Sequence, residues 1–94
     1  MIKVLFIKSP TCTLCAFPYM LTQNIIKDIN EKQSKKIELK AIIVQKDELE
    51  KERKKYDFNT FPTIIIYKNE KEVERITNSI EIIATIRDIL NELN

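Results

Sequence analysis

The chain has two cysteines, Cys12 and Cys15, separated by Thr13 and Leu14. They stand where the apolar run Val4–Ile7 ends and a segment with helical periodicity begins. A thiol at the start of a helix meets the positive end of the helix dipole, which favours the thiolate. Thiolate is the form that attacks disulfides, so thiol–disulfide chemistry is the first expectation. The same spacing also serves zinc sites and Cu(I) carriers. The chain contains no histidine, so a zinc ion would have to complete its shell with carboxylates or a second subunit. Two thiolates alone suit Cu(I), and a metal-binding or metal-transfer module remains the alternative reading. A purely structural bridge over so short a loop gains little chain entropy.

Phe61-Pro62-Thr63 is the second informative stretch, directly ahead of the β-branched run Thr63–Tyr67. A proline entering a central strand lacks the N–H that the ladder needs. A cis peptide bond is one solution and an ordinary trans proline opening the strand is the other. Tyr56, Phe58 and Phe61 form an aromatic group beside it, of which two are expected in the core and one at the surface.

These residues need elements to hold them. Lys3–Lys8 is apolar on both faces, as a central strand is. From Cys12 to about Asn30, Leu14, Pro18, Leu21, Ile25 and Ile29 recur at helical spacing, and Pro18 predicts a bend just after the cysteines. Ile37–Val44 suits a strand near the sheet edge. Asp47–Lys55 is almost wholly charged, with Asp47–Lys51 and Glu50–Lys54 spaced to pair along a solvated helix. Thr63–Tyr67 is a buried strand, Lys68–Lys71 a hairpin turn and Val73–Ile76 its return. A last helix, capped by Ser79, runs to about Leu93 with Ile82, Ile83, Ile86, Ile89, Leu90 and Leu93 inward. The order β-α-β-α-β-β-α predicts an α/β fold in which helices cover both faces of a four-stranded mixed sheet.

Composition sets bounds. Ninety-four residues with no linker or repeat are expected to form one domain, 1–94, and a monomer. A net charge of +2 leaves no electrostatic footprint for nucleic acid or an acidic membrane surface. No stretch is apolar enough to span a bilayer, and Met1–Lys8 is short for a signal peptide. A reducing, cytoplasmic setting follows as the expectation. Glycine is absent, so positive φ angles are expected at Asn59, Asn69 and Asn78.

Together these features resemble the thioredoxin superfamily over nearly the whole chain. Val4-Leu5-Phe6-Ile7-Lys8-Ser9-Pro10-Thr11-Cys12-Thr13-Leu14-Cys15 is similar to its active-site segment. Phe61-Pro62-Thr63-Ile64-Ile65-Ile66-Tyr67-Lys68-Asn69-Glu70 is similar to its cis-proline segment and hairpin. The short length and Pro10 lean towards glutaredoxins, and the Pro-Thr strand towards thioredoxins. The resemblance implies that Cys12 attacks a protein disulfide, that Cys15 resolves the mixed disulfide, and that the Cys12–Cys15 disulfide is the only redox group, with no bound cofactor or metal. It also implies that Pro62 packs beside the sulfurs, and that Phe61, Thr11, Thr13 and Leu14 meet the substrate. Phe6 stands where thioredoxins keep a buried aspartate, which leaves Lys8 as the ionisable group nearest the thiolate. Thr77-Asn78-Ser79-Ile80-Glu81 matches the glutathione-holding stretch of glutaredoxins poorly, which favours a flavoprotein reductase over glutathione as electron donor.

Overall fold

The structure is a computed structural model and describes residues 1–93. Strand β1 spans Ile2–Lys8, and a 3-10 turn at Thr13–Cys15 leads into helix α1, Ala16–Gln33. Strand β2 covers Ile37–Ile43, and a second 3-10 turn at Lys46–Glu48 precedes helix α2, Leu49–Tyr56. Strands β3, Thr63–Lys68, and β4, Lys71–Ile76, form a hairpin ahead of helix α3, Ser79–Leu93. The strands lie in the order β2-β1-β3-β4; β1 and β2 are parallel and the other pairs antiparallel. The element order and the mixed sheet are those read from the sequence.

Strand alternation divides the core. Ile2, Val4 and Phe6 of β1 face one side with Ile25, Ile26 and Ile29 of α1 and Ile82, Ile86 and Leu90 of α3. Leu5 and Ile7 face the other, with Val44, Phe58 and, at the edge, Leu49 of α2. Ile64, Ile65 and Ile66 are completely buried because β3 is covered on both faces. Each such side chain contributes roughly 1.5–3 kcal/mol of burial.

Several local expectations need correction. Leu14 is not in the α1 stripe, since the helix proper starts only at Ala16; Thr22 takes a buried place instead. The Thr22 hydroxyl donates to the Pro18 carbonyl at 2.7 Å, which makes its burial tolerable. Pro18 falls in the first turn of α1, where its missing N–H would have no intrahelical partner anyway. In α3, Ile83 is exposed while Ile82, Ile86 and Leu90 form the buried stripe. The cap of that helix is Asn78 rather than Ser79: its Oδ1 accepts from the Glu81 N–H at 2.8 Å.

Helix α2 begins after Asp47. Neither Asp47–Lys51 nor Glu50–Lys54 is among the ion pairs of the described residues, which are Asp28–Lys32, Glu72–Arg75 and Asp28–Arg87. Positive φ occurs at Ser34, Asp57, Asn69 and Glu70, so only Asn69 matches expectation. Ser34 and Asp57 end helices, where a left-handed residue satisfies the last carbonyls; Asn69 and Glu70 form the hairpin turn. Among the described residues, no helix is long and apolar enough to cross a membrane.

Candidate active site

Strand register brings the two informative stretches together. Ile7 near the end of β1 pairs with Thr63 at the start of β3, and Ile64 pairs with Ile76 at the end of β4. The loop after β1, the loop before β3 and the start of α3 therefore share one end of the sheet. The first of these loops turns through the Cys12 N–H, which donates to the Ser9 carbonyl at 3.3 Å. Cys12 is extended (φ −79°, ψ 100°) and directly precedes the 3-10 turn; the Cys15 N–H donates to its carbonyl.

The two sulfurs are joined as a disulfide with Cα atoms 5.4 Å apart. Their surroundings differ. Cys15 is 2% exposed and belongs to the α1/α3 side of the core, while Cys12 is only partly buried against it. Cys12 is the sulfur that a partner can reach. Thr11, Thr13 and Leu14 are exposed around it, Leu14 at 66%.

The Phe61–Pro62 peptide bond is cis, and Pro62 is buried. Two threonines fix this loop. The Thr63 hydroxyl donates to the Thr60 carbonyl at 2.7 Å, and the Thr60 hydroxyl donates to the Thr77 carbonyl at 2.8 Å. The second bond ties the proline loop to the loop entering α3. Phe61 is half-buried and packs against both sides of the core, with its ring 5.4 Å from that of Phe58. Of the three aromatics, only Phe58 is fully core; Tyr56 and Phe61 keep partly open faces.

Lys8 is half-exposed at the foot of the cysteine loop, with its ammonium 3.9 Å from the centroid of the Tyr19 ring. Tyr19 in turn stands edge-on to the fully buried Phe6, with centroids 5.0 Å apart. The aromatic at position 6 thus anchors the ring that holds the lysine.

The clearest electrostatic perturbations lie elsewhere. The Arg75 guanidinium donates to both carboxylate oxygens of Glu72 and to the Tyr56 and Asp57 carbonyls at the end of α2. The hydrogen bond from Arg75 holds the Glu72 carboxyl below the usual range, and the same bond raises Arg75. Tyr67 is pushed up, first by burial and then by Glu72. These groups staple α2 to β4. A depression of about 800 Å³ lined in part by Lys3, Tyr56, Tyr67 and Asn69 lies towards the opposite end of the sheet from the cysteines. Among the described residues, no three of the Cys, Asp and Glu side chains converge as a metal-ligand group.

Thioredoxin 1 of Thermosipho africanus has the same architecture: TM-score 0.69 and 26% identity, over 98% of each chain. The chain is a small protein of the thioredoxin superfamily. Fasciola hepatica thioredoxin superposes with TM-score 0.72 at 24% identity, over 97% of this chain and 79% of its own. Trypanosoma brucei brucei thioredoxin gives 0.73 at 16%, over 99% and 74%. No protein-family model matches the sequence, and no curated protein matches it. The thioredoxin fold and the paired cysteines together support thiol–disulfide oxidoreductase chemistry in general.

Sequence reasoning did not find Thr60 and Tyr19. Thr60 acts through a side-chain bond to a carbonyl 17 residues away, which no local pattern marks. Tyr19 had a detectable signal. It follows Cys15 by one helical turn, on the side that must face β1.

Proposed function

We propose that this thioredoxin-fold protein reduces or exchanges disulfides of other proteins through a Cys12/Cys15 dithiol–disulfide cycle. The observation that carries the proposal is the unequal exposure of two bonded sulfurs, one reachable and one buried. In the reduced form, the Cys12 thiolate attacks one sulfur of a substrate disulfide. A Cys12–substrate bond forms and the first substrate thiolate leaves. Cys15, deprotonated, then attacks the Cys12 sulfur, the second substrate thiolate leaves, and the Cys12–Cys15 bond closes. Two electrons pass to the substrate, and the two protons released by the cysteines end on its thiols.

The turn that opens into α1 supports the first step, since unpaired N–H groups and the helix dipole favour negative charge at Cys12. Phe61 and Pro62 border the extended substrate segment, with the Phe61 main chain pairing to it as a short added strand. Thr11, Thr13 and Leu14 complete the rim, and Lys8, held by Tyr19, supplies positive charge near the thiolate. No further cofactor or metal takes part. The oxidised pair is returned to the dithiol by a flavoprotein reductase rather than glutathione. Supporting this, the Asn78 side-chain oxygen is engaged in capping α3 and the γ-glutamyl-binding pattern is lacking. The protein acts as a cytoplasmic monomer.

Turnover of a disulfide-bonded model protein with dithiothreitol as donor tests the proposal. Wild type accelerates reduction, and Cys12→Ser abolishes the acceleration. Equal inactivity of wild type and Cys12→Ser, with tight Cu(I) binding by wild type, would favour the metal-transfer alternative.

A further inference from the structure

The cysteine end of the molecule is almost free of charge, although 32% of the chain is charged. Beyond Lys8 at the foot of the cysteine loop, no charged residue occurs from Ser9 to Ile26 or from Phe58 to Tyr67, and from Ile76 to Ile86 there is only Glu81. Register places the cysteine loop, the proline loop and the start of α3 at the same end of the sheet, so this neutrality is a property of one surface.

Helices α1 and α3 run parallel from that end. Their far halves are joined by polar contacts, Asp28 to Arg87 at 3.7 Å and Gln33 to Asn91 at 3.4 Å. Two turns nearer the cysteines, the same facing rows carry Leu21 on α1 and Ile80 on α3. Phe17 lies one turn further up its row, and Ile83 sits between Ile80 and Arg87. Phe17 is 52% exposed, Ile80 79% and Ile83 43%. The seam between the helices thus changes from polar to apolar towards the cysteine end, where Leu14 is also exposed. Large side chains left in water on adjoining elements mark an interaction surface, and the core of such a surface is typically depleted of charge.

We propose that this apolar seam seats the polypeptide segment flanking the partner's exchanging disulfide, and that the preferred segment is uncharged and apolar. The proposal rests on the dithiol reading of Cys12 and Cys15. It adds a direction, from Cys12 over Leu14 and Phe17 towards Ile80 and Ile83, and a substrate class. Affinity then comes from buried apolar area rather than ion pairing, so recognition is insensitive to salt.

Two synthetic peptides with the same intramolecular disulfide ring test it, one flanked by Leu and Ile and the other by Glu and Lys. Wild type is expected to reduce the apolar peptide with a kcat/KM about tenfold higher, the yield of burying one large side chain. Raising salt from about 0.05 to about 0.5 M should change that ratio by less than about twofold. The double variant Ile80→Lys/Ile83→Lys should bring the ratio close to one, while Val73→Lys, on the exposed edge strand, should keep both rates. Equal rates for the two peptides in wild type, or a ratio unmoved in the double variant, overturn the seam alone. Reduction of neither peptide by wild type overturns the dithiol reading itself. A sedimentation result in which wild type dimerises and the double variant does not would give the seam to a second copy of this chain and also overturn the proposal.

Discussion

The Lys8 ammonium stands 3.9 Å from the centroid of the Tyr19 ring, so the end of β1 is fastened to the first turn of α1 directly beneath the cysteine loop. A double-mutant cycle with Lys8→Met and Tyr19→Leu is expected to give a coupling of about 0.5–1 kcal/mol, as for a partly exposed cation over an aromatic face. Lys8→Met should also disfavour the Cys12 thiolate modestly, because a positive charge beneath the loop is lost and solvent screens part of its effect. The pH profile of alkylation reads this out. An unshifted profile would remove Lys8 from the site and leave it a purely structural role.

The Thr60 hydroxyl ties together two loops at the cysteine end of the sheet. Thr60→Val keeps the shape and loses the donor, and is expected to cost about 0.5–1.5 kcal/mol in urea unfolding. The rate of protein-disulfide reduction should fall several-fold as the loop entering α3 loosens. Thr60→Ser should retain both properties. A Val variant as fast as wild type would show that this tie does not position the substrate.

The cap of α3 offers a contrast between neighbours. Asn78→Ala should destabilise the protein by about 1 kcal/mol, whereas Ser79→Ala should lie within about 0.5 kcal/mol of wild type. The reverse order would contradict the bond from the Glu81 N–H to Asn78.

Glu72 carries a pH prediction. Its carboxyl is held low by the hydrogen bond from Arg75, so its folded pKa lies below the unfolded value. The stabilisation is therefore complete above the ordinary carboxylate range and is lost as pH falls through the lowered folded value. The side chain is 40% exposed, which limits the effect to below about 1 kcal/mol. Glu72→Gln should remove this part of the acid limb from a stability–pH profile. An identical limb in wild type and variant would contradict the assignment.

Periodicity was enough to predict the four strands and three helices, because β1 and β3 are continuously apolar while α1 and α3 carry stripes. Helix starts were less legible. Cys12 to Cys15 has helical spacing but folds as a 3-10 turn, which released Leu14 from the predicted buried stripe to the surface. Likewise, Asn78 and Ser79 are both good caps in sequence, and only the backbone path selects Asn78. The left-handed positions show a similar limit. Helix termination imposed them on Ser34 and Asp57, although asparagine has the greater intrinsic tolerance. At the site, the Cys12–Cys15 pair and the Phe61-Pro62-Thr63 stretch were visible as motifs. Their shared end of the sheet followed once β1 and β3 were paired. The Thr60 hydroxyl bond reaches a carbonyl 17 residues away and had no local signature, whereas Tyr19 stood one helical turn after Cys15 and was open to detection.

Trapping tests the central claim most directly. Cys15→Ser leaves only the reachable thiol, and Cys12→Ser leaves only the buried one. Each variant is mixed with a disulfide-bonded model protein, quenched with acid over time and weighed as intact protein by mass spectrometry. The account predicts rapid accumulation of a mixed disulfide on Cys12 in the Cys15→Ser variant, and slow formation, if any, in Cys12→Ser. Adducts forming equally fast in both, or faster on Cys15, would contradict it.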